Sequence, residues 1–355
     1  MTVRVGVVGS GFMGRTWSEV GANHADGTTL AAVAGGRRAT ALAAVAGGRR
    51  APALAADYGV PLEPSPEALI ARADIDLVIL ASPPAAHRAQ TIAAAAAGKH
   101  VLVEKPMAQD VTESTAMVEA CRVAGVRLSV VSQHRFRDTP AAAHRLIADG
   151  AIGDVRMIRL TGAEVGWWDL KARGDEWKLD PAQQTAWASW SAHGCDLIRW
   201  LSGSEPVRAY ARIANFSGTP PDVGQSAMAQ YEMASGALVQ IWMTYEMPKP
   251  GLASTWEFVI VGSTGIVRLD PYGQLLLGRD DAWEVVAEMP GFDPLDANDS
   301  IRLRAYARQL EDLVAAVRDG RDPLVSGEEG RRTTAMLTAA EESARIGTAV
   351  ALDAT

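Results

Sequence analysis

A lysine following a short apolar run is the first residue in this chain placed for chemistry. Glu104-Lys105-Pro106 comes directly after HVLV at 100–103. Ligands of an open parallel sheet bind beyond the carboxyl ends of its strands, so Lys105 is expected to face a bound molecule. The X-Pro bond that follows is of the kind able to be cis, which would fix the direction of the lysine. A second pattern opens the chain. Gly9-Ser10-Gly11-Phe12-Met13-Gly14 is G-x-G-x-x-G, set between an apolar run at 3–8 and a helical pattern reaching about residue 23. Alone the pattern is weak; between a strand and a helix it is a dinucleotide fingerprint. Gly9 permits the tight turn, Gly11 lets the backbone approach a pyrophosphate, and Gly14 lets helix and strand pack closely. The helix start then offers free N–H groups and a partial positive charge to the anion.

The end of the second strand bears on the choice of nucleotide. An acid about 20 residues past the fingerprint would hold a ribose 2′-hydroxyl, whereas arginine favours a 2′-phosphate. The sequence there reads Gly35-Gly36-Arg37-Arg38 with no acid. It predicts NADP as the preferred cofactor, with NAD possible. LAAVAGGRRATA at 30–41 is followed at once by LAAVAGGRRAPA at 42–53. One isolated copy is no solenoid. It reads as a local duplication within one crossover, a duplicated linker being the other reading. The first copy has the fingerprint spacing, and Arg49-Arg50 in the second is its rival.

These residues need a scaffold. The first 135 residues alternate strand-like and helix-like segments, with strands at 3–8, 30–34, 74–81, 100–103 and 126–131. Ser65-Pro66 reads as a helix start, and Asp110 with Glu113 has capping-box spacing. The expectation is an α/β Rossmann domain, a doubly wound parallel sheet, over 1–137. Over 138–355 the rhythm changes to an α+β domain. After a helix at 140–149, longer alternating runs at 154–162, 206–216, 225–234, 237–246, 255–261 and 264–270 suggest an open, mainly antiparallel sheet. One helix is expected near 191–202, and two amphipathic helices at about 300–319 and 328–346 close the chain, so helices 300–346 are placed with this second domain.

Taken together, GSGFMG, ASPPAAH (81–87), EKP, GAIGDV (150–155) and AAVRDGRDPLVSGEEGRR (315–332) resemble the glucose-fructose oxidoreductase, inositol dehydrogenase and MocA (Gfo/Idh/MocA) family over nearly the whole chain. The resemblance implies transfer of a hydride between a nicotinamide and a sugar or polyol, with Lys105 catalytic. It sets the segment of Ser82, Pro83 and His87 against the cofactor, His87, opening a helix, being equally a candidate cap, and it gives the second domain an open sheet used for homo-dimers or homo-tetramers; Glu104 is a further cofactor candidate. The family's D-x-x-x-H motif falls on Ser189-Trp190-Ser191-Ala192-His193, which makes His193 the second catalytic residue. Serine stands at 189 where the family has aspartate, and serine can hydrogen-bond but carries no charge. Asp196, on the same helical face as His193, is a candidate substitute, or else an ion-pair partner of Arg199. A near-neutral imidazole suits removal of a hydroxyl proton, and an ammonium stabilises the developing alkoxide.

The chain holds ten tryptophans. Trp167, Trp177 and Trp190, ahead of His193, are candidates to stack on a ring-shaped polyhydroxylated substrate; core packing is the competing role. Arg135, past the last Rossmann strand, is a candidate for substrate hydroxyls or an acidic group. A formal charge of −8 argues against nucleic acid and anionic lipid as partners. Two cysteines and no leader pattern suggest a reducing cytoplasm, and no metal-ligand spacing is present. Two other functions stay open: a dehydrogenase of cyclic dihydrodiols, and a non-catalytic nucleotide-sensing regulator on the same fold.

Overall fold

The computed structural model describes residues 2–35, 50–164, 185–216, 225–252, 256–294 and 296–353. The chain divides into two compact units, one of Met1–Gln133 with Phe292–Thr334, the other of His134–Gly291 with Ala335–Thr355.

In the first unit β1 (Val3–Val8), β2 (Thr28–Ala34), β3 (Leu62–Glu63), β4 (Leu77–Leu80), β5 (His100–Val103) and β6 (Leu128–Val130) make a parallel sheet in the order β3-β2-β1-β4-β5-β6. Every residue of β4 is buried, as are Val101, Leu102 and Val103. This accounts for their unbroken apolar runs, since a parallel sheet covered on both faces has no wet side to alternate with. The order reverses between β1 and β4, the switch point where such sheets bind ligands. The crossovers are α1 (Phe12–Glu19), prolonged by a π-helical turn over Val20–His24, then α2 (Ala51–Tyr58), α3 (Pro66–Ile70), α4 (Pro84–Ala96) and α5 (Val111–Ala124). Both expected caps are formed: Ala68 N–H donates to Ser65 Oγ (3.2 Å) and Glu113 N–H to Asp110 Oδ1 (2.8 Å). The first copy of the repeat supplies Leu30 to Ala34 of β2, and the end of the second opens α2 after Arg50. Gly36, Arg37, Arg38 and Arg49 lie outside the described residues.

The second unit carries α6 (Asp138–Ala148) and α7 (Ala186–Ser202) with β7 (Val155–Ala163), β8 (Pro206–Ala214), β9 (Ser226–Met233), β10 (Leu238–Thr244), β11 (Trp256–Gly262), β12 (Ile266–Leu269), β13 (Gln274–Arg279) and β14 (Ala282–Glu288). With β15 (Val350–Ala351) they form one nine-stranded sheet, antiparallel except where β7 pairs with β10. Ala229, Ile241, Leu160, Phe258 and Leu269 lie level across five strands and point into one core with Trp187, Leu197 and Ile198 of α7. The sequence runs located β7 to β12 but not β13 or β14. Six of the seven residues of β14 are exposed, so the strand has no wet and dry side for a period-two pattern to mark.

The chain then returns. α8 (Ser300–Asp319) places Leu303, Tyr306, Leu310, Leu313 and Val314 in the core of the first unit, against Val5, Trp17, Val20 and Leu30. Helices 300–346 therefore do not form one block with the second unit. α9 (Gly327–Ile346) is divided, with Gly327 and Gly330 against Leu128 and Val130 of β6, and Met336, Leu337 and Ala340 in the second core. The apolar stripe on α8 required a packing surface, but a stripe does not specify which one. Among the described residues no helix is long and apolar enough to cross a membrane, and no group of three or more His, Cys, Asp or Glu could hold a metal ion.

Candidate active site

Each unit contributes a cluster, and each is described by itself. In the first unit Gly9 follows β1 with φ 117°, a conformation that side-chain-bearing residues avoid. A Cβ at Gly9 would lie 2.5 Å from Ala81 O, and one at Gly14 would lie 2.2 Å from Gly9 O. A Cβ at Gly11 would meet nothing within 4 Å. The turn is thus closed at both ends and open at Gly11, where an anion must approach the backbone. α1 has no side-chain cap, so its first N–H groups remain for a ligand. A dinucleotide pyrophosphate fits this cradle. Phe12 stands beside it, 39% exposed, and Met13 packs back against the core.

Val8, Leu80 and Val103 are level across β1, β4 and β5. Gly9, Ala81 and Glu104 therefore leave the sheet together, and Lys105 follows one residue later. Lys105 is half-buried and its bond to Pro106 is cis. Glu104 is buried; its Oε1 accepts from Trp17 Nε1 (2.9 Å) and its Oε2 from the Lys105 amide (3.2 Å). Burial pushes the Glu104 carboxyl above the ordinary glutamate range, against the opposing pull of Lys105, the Trp17 N–H and Arg302.

Ser82 and Pro83 lie past β4, where Ser82 Oγ donates to Gln90 Oε1 (2.5 Å) and Pro83 precedes α4 as its cap. His87 differs from expectation. It is fully buried, with Nε2 2.8 Å from Ser82 O and Nδ1 3.1 Å from Pro106 O and 3.2 Å from Met107 O. Both ring nitrogens face backbone carbonyls, so no ring edge is left to meet a cofactor. It lies between the segment after Lys105 and the segment after β4, and the neutral ring donates to one of the two sides. Burial lowers its pKa and favours the neutral ring.

In the second unit His193 is half-buried on α7. His134, from a 3₁₀ turn over Gln133–Phe136, meets it edge to face with ring centroids 4.6 Å apart. His134 also stacks on Trp256 (5.5 Å) and meets Tyr272 edge-on (5.4 Å). Trp190 lies against Trp256 at 4.2 Å and crosses the ring of Tyr245 at 5.5 Å. Its place on the sheet depends on Gly162, where a Cβ would stand 2.9 Å from the indole. Ser189 is buried one turn before His193.

Arg135 and Asp196 do not offer themselves to a substrate. They are 3% and 4% exposed and joined to each other through Nε to Oδ2 (2.9 Å) and Nη2 to Oδ1 (2.6 Å). A buried bidentate pair of this kind satisfies both charges in place. It pins the 3₁₀ turn to α7 and so sets His134 beside His193. Arg199 pairs with Glu205 (2.6 Å). Trp167 and Trp177 lie outside the described residues. Sequence reasoning missed His134, Tyr245, Trp256 and Tyr272 around His193, and Trp17 behind Glu104. His134 adjoins Arg135 in sequence and could have been found; the others meet the site only through the fold.

A parallel sheet in this order, with a pyrophosphate cradle at its switch point, defines a dinucleotide-binding Rossmann protein. Residues 3–132 match the family described as "Oxidoreductase family, NAD-binding Rossmann fold", and 141–268 match the "GFO/IDH/MocA C-terminal domain". The chain belongs to the Gfo/Idh/MocA oxidoreductase family. It is 28% identical over 296 residues to D-xylose 1-dehydrogenase (NADP(+)) 2 of Haloferax volcanii, covering 81% of this chain and 83% of that protein. It is 29% identical over 355 residues to inositol 2-dehydrogenase 1 of Saccharopolyspora erythraea, covering 99% and 97%. The crystal structure of aldose-aldose oxidoreductase from Caulobacter crescentus superposes with a TM-score of 0.82 at 24% identity, covering 99% of this chain and 100% of that one, which shows the shared fold.

Proposed function

We propose that the protein is an NADP-preferring dehydrogenase or reductase acting on a carbinol or ketone carbon of a sugar, sugar derivative or cyclitol, with Lys105 and His193 as its catalytic pair. The observation that carries this reading is the lysine turn leaving the sheet level with the pyrophosphate cradle, two strands along. A bound nicotinamide supplies the site that takes up or gives the hydride. Lys105 holds the substrate oxygen through its ammonium and stabilises negative charge on it. His193 accepts the hydroxyl proton in oxidation and returns it in reduction. Ser189 hydrogen-bonds near the pair without adding charge, and Trp190, with Trp167 and Trp177, stacks on the apolar face of the substrate ring.

The NADP preference is supported by Arg37 and Arg38, which follow β2 in sequence where an acid would otherwise hold the ribose hydroxyls. The relatives named as xylose and inositol dehydrogenases support the substrate class. Copies associate through the outward face of the nine-stranded sheet, where Met157, Tyr210, Met228 and Leu238 are exposed among polar neighbours. The test is a panel of aldoses and cyclitols with NADP+ and NAD+, followed at the reduced-nicotinamide absorbance. Turnover of at least one, with higher kcat/KM for NADP+, and sedimentation as a dimer or larger are expected. Tight nucleotide binding with no turnover on any member would favour the regulator instead.

A further inference from the structure

Arg302 sits where α8 itself gives it no reason to be. The helix is capped by Asp299, whose Oδ1 accepts from the amides of Ile301 and Arg302, both at 2.9 Å. This puts Arg302 in the first turn, at the end of a helix whose dipole disfavours a cation. The residue is also only 2% exposed, and a buried charge is costly unless something nearby uses it. Among the described residues no carboxylate lies within ion-pair distance of it. Nη1 donates to Ala297 O (3.5 Å), just ahead of its own helix, and the other contacts reach the phosphate turn: Nη2 donates to Thr16 Oγ1 (3.0 Å) and lies 3.9 Å from Met13 Sδ, and the guanidinium carbon stands 4.6 Å from the ring centroid of Phe12. It also lies over the Tyr306 ring, 4.9 Å from the centroid.

We infer that Arg302 is a positioning residue of the nucleotide site, holding the first turn of α1 and setting a positive charge behind the N–H groups that receive the pyrophosphate. Thr16 Oγ1 itself donates to Phe12 O (3.0 Å), so the contact reaches the opening residue of α1. The guanidinium, lying over the rings of both Phe12 and Tyr306, is fixed before any ligand arrives. The site therefore draws on a residue 286 positions from Thr16, supplied by a helix that follows residues 134–291 of the second unit. The inference concerns nucleotide binding alone and is independent of the roles given to Lys105 and His193.

The experiment uses the full chain and its R302M, R302K and F12L variants. Binding of NADPH is titrated at low and high salt, with thermal melts in parallel. R302M is expected to weaken NADPH by on the order of tenfold, the effect of one charge acting at helix-turn range, and to show a shallower loss of affinity with salt. R302K, which keeps the charge, recovers most of the affinity. F12L and R302M combined lose less than the sum of their separate effects, because one acts through the other. Unchanged affinity and salt dependence in R302M with a lower melting temperature would overturn the proposal and leave Arg302 as packing. So would R302K behaving like R302M. Should R302M fail to fold, R302K against the native protein, and the salt dependence of F12L, decide between the same outcomes.

Discussion

Glu104 shows what a single residue in this site costs and does. It is an acid kept out of water, partnered by an indole N–H and by the amide of the lysine it precedes. Its folded-state pKa is raised, so the stability it contributes is fully present below the ordinary glutamate value of about 4.3 and is lost as pH rises through the raised value. Glu104→Gln keeps an oxygen for Trp17 but has no charge to bury. Melting temperatures of the two proteins measured from acid to neutral pH are expected to diverge, with the variant gaining on the native protein as pH rises. A difference that stays constant with pH would contradict this. At this scale His193 was singled out only through the family resemblance, whereas the glycine turn and the place of Lys105 just past its strand were legible because type and spacing carry them. The partners were not. Trp17 and Glu104 are 87 residues apart, and Arg135 and Asp196 are 61 apart. Pairing over such separations is a property of the fold, and so the two residues expected to greet a substrate proved to hold each other. His87 was read as a cofactor contact for the same reason: its position opening α4 was visible, whereas the carbonyls on both sides of its ring were not.

Among elements, the strands of the first sheet were legible as buried apolar runs and the helix starts as caps, because both signals are local. α8 was legible as a helix, but its partner was not. Its amphipathic stripe is satisfied by the Rossmann core, where Leu303, Tyr306, Leu310 and Leu313 are 5% exposed or less. At about 2 kcal/mol for each such side chain, four of them contribute about 8 kcal/mol, comparable with the whole stability of a domain. A protein ending at Gln133 contains every residue of the fingerprint and the lysine turn, yet it is expected to lack cooperative unfolding and to bind the hydrophobic dye ANS. A sharp two-state melt of that fragment would contradict the assignment of α8 to the first core. The edge of the second sheet teaches the same lesson in reverse. β14 is exposed along almost its whole length, and its partner β13 carries three consecutive leucines, so neither shows the alternation by which β7 to β12 were found.

The whole molecule divides the proposed chemistry between two units, with Lys105 beside the nucleotide cradle in one and His193 in an aromatic setting in the other. Family membership accounts for the fold and for NAD(P) binding, while the catalytic pair is the claim on which the functional account stands. Full kinetics of K105A, H193A and the double variant test it most directly, with NADPH affinity measured separately by titration. The account predicts that each single variant lowers kcat by roughly 100-fold or more with nucleotide affinity nearly unchanged, and that the double variant is little worse than the poorer single one, as for groups that serve one step. Native-like turnover in either single variant, or losses that multiply in the double, would contradict the pair.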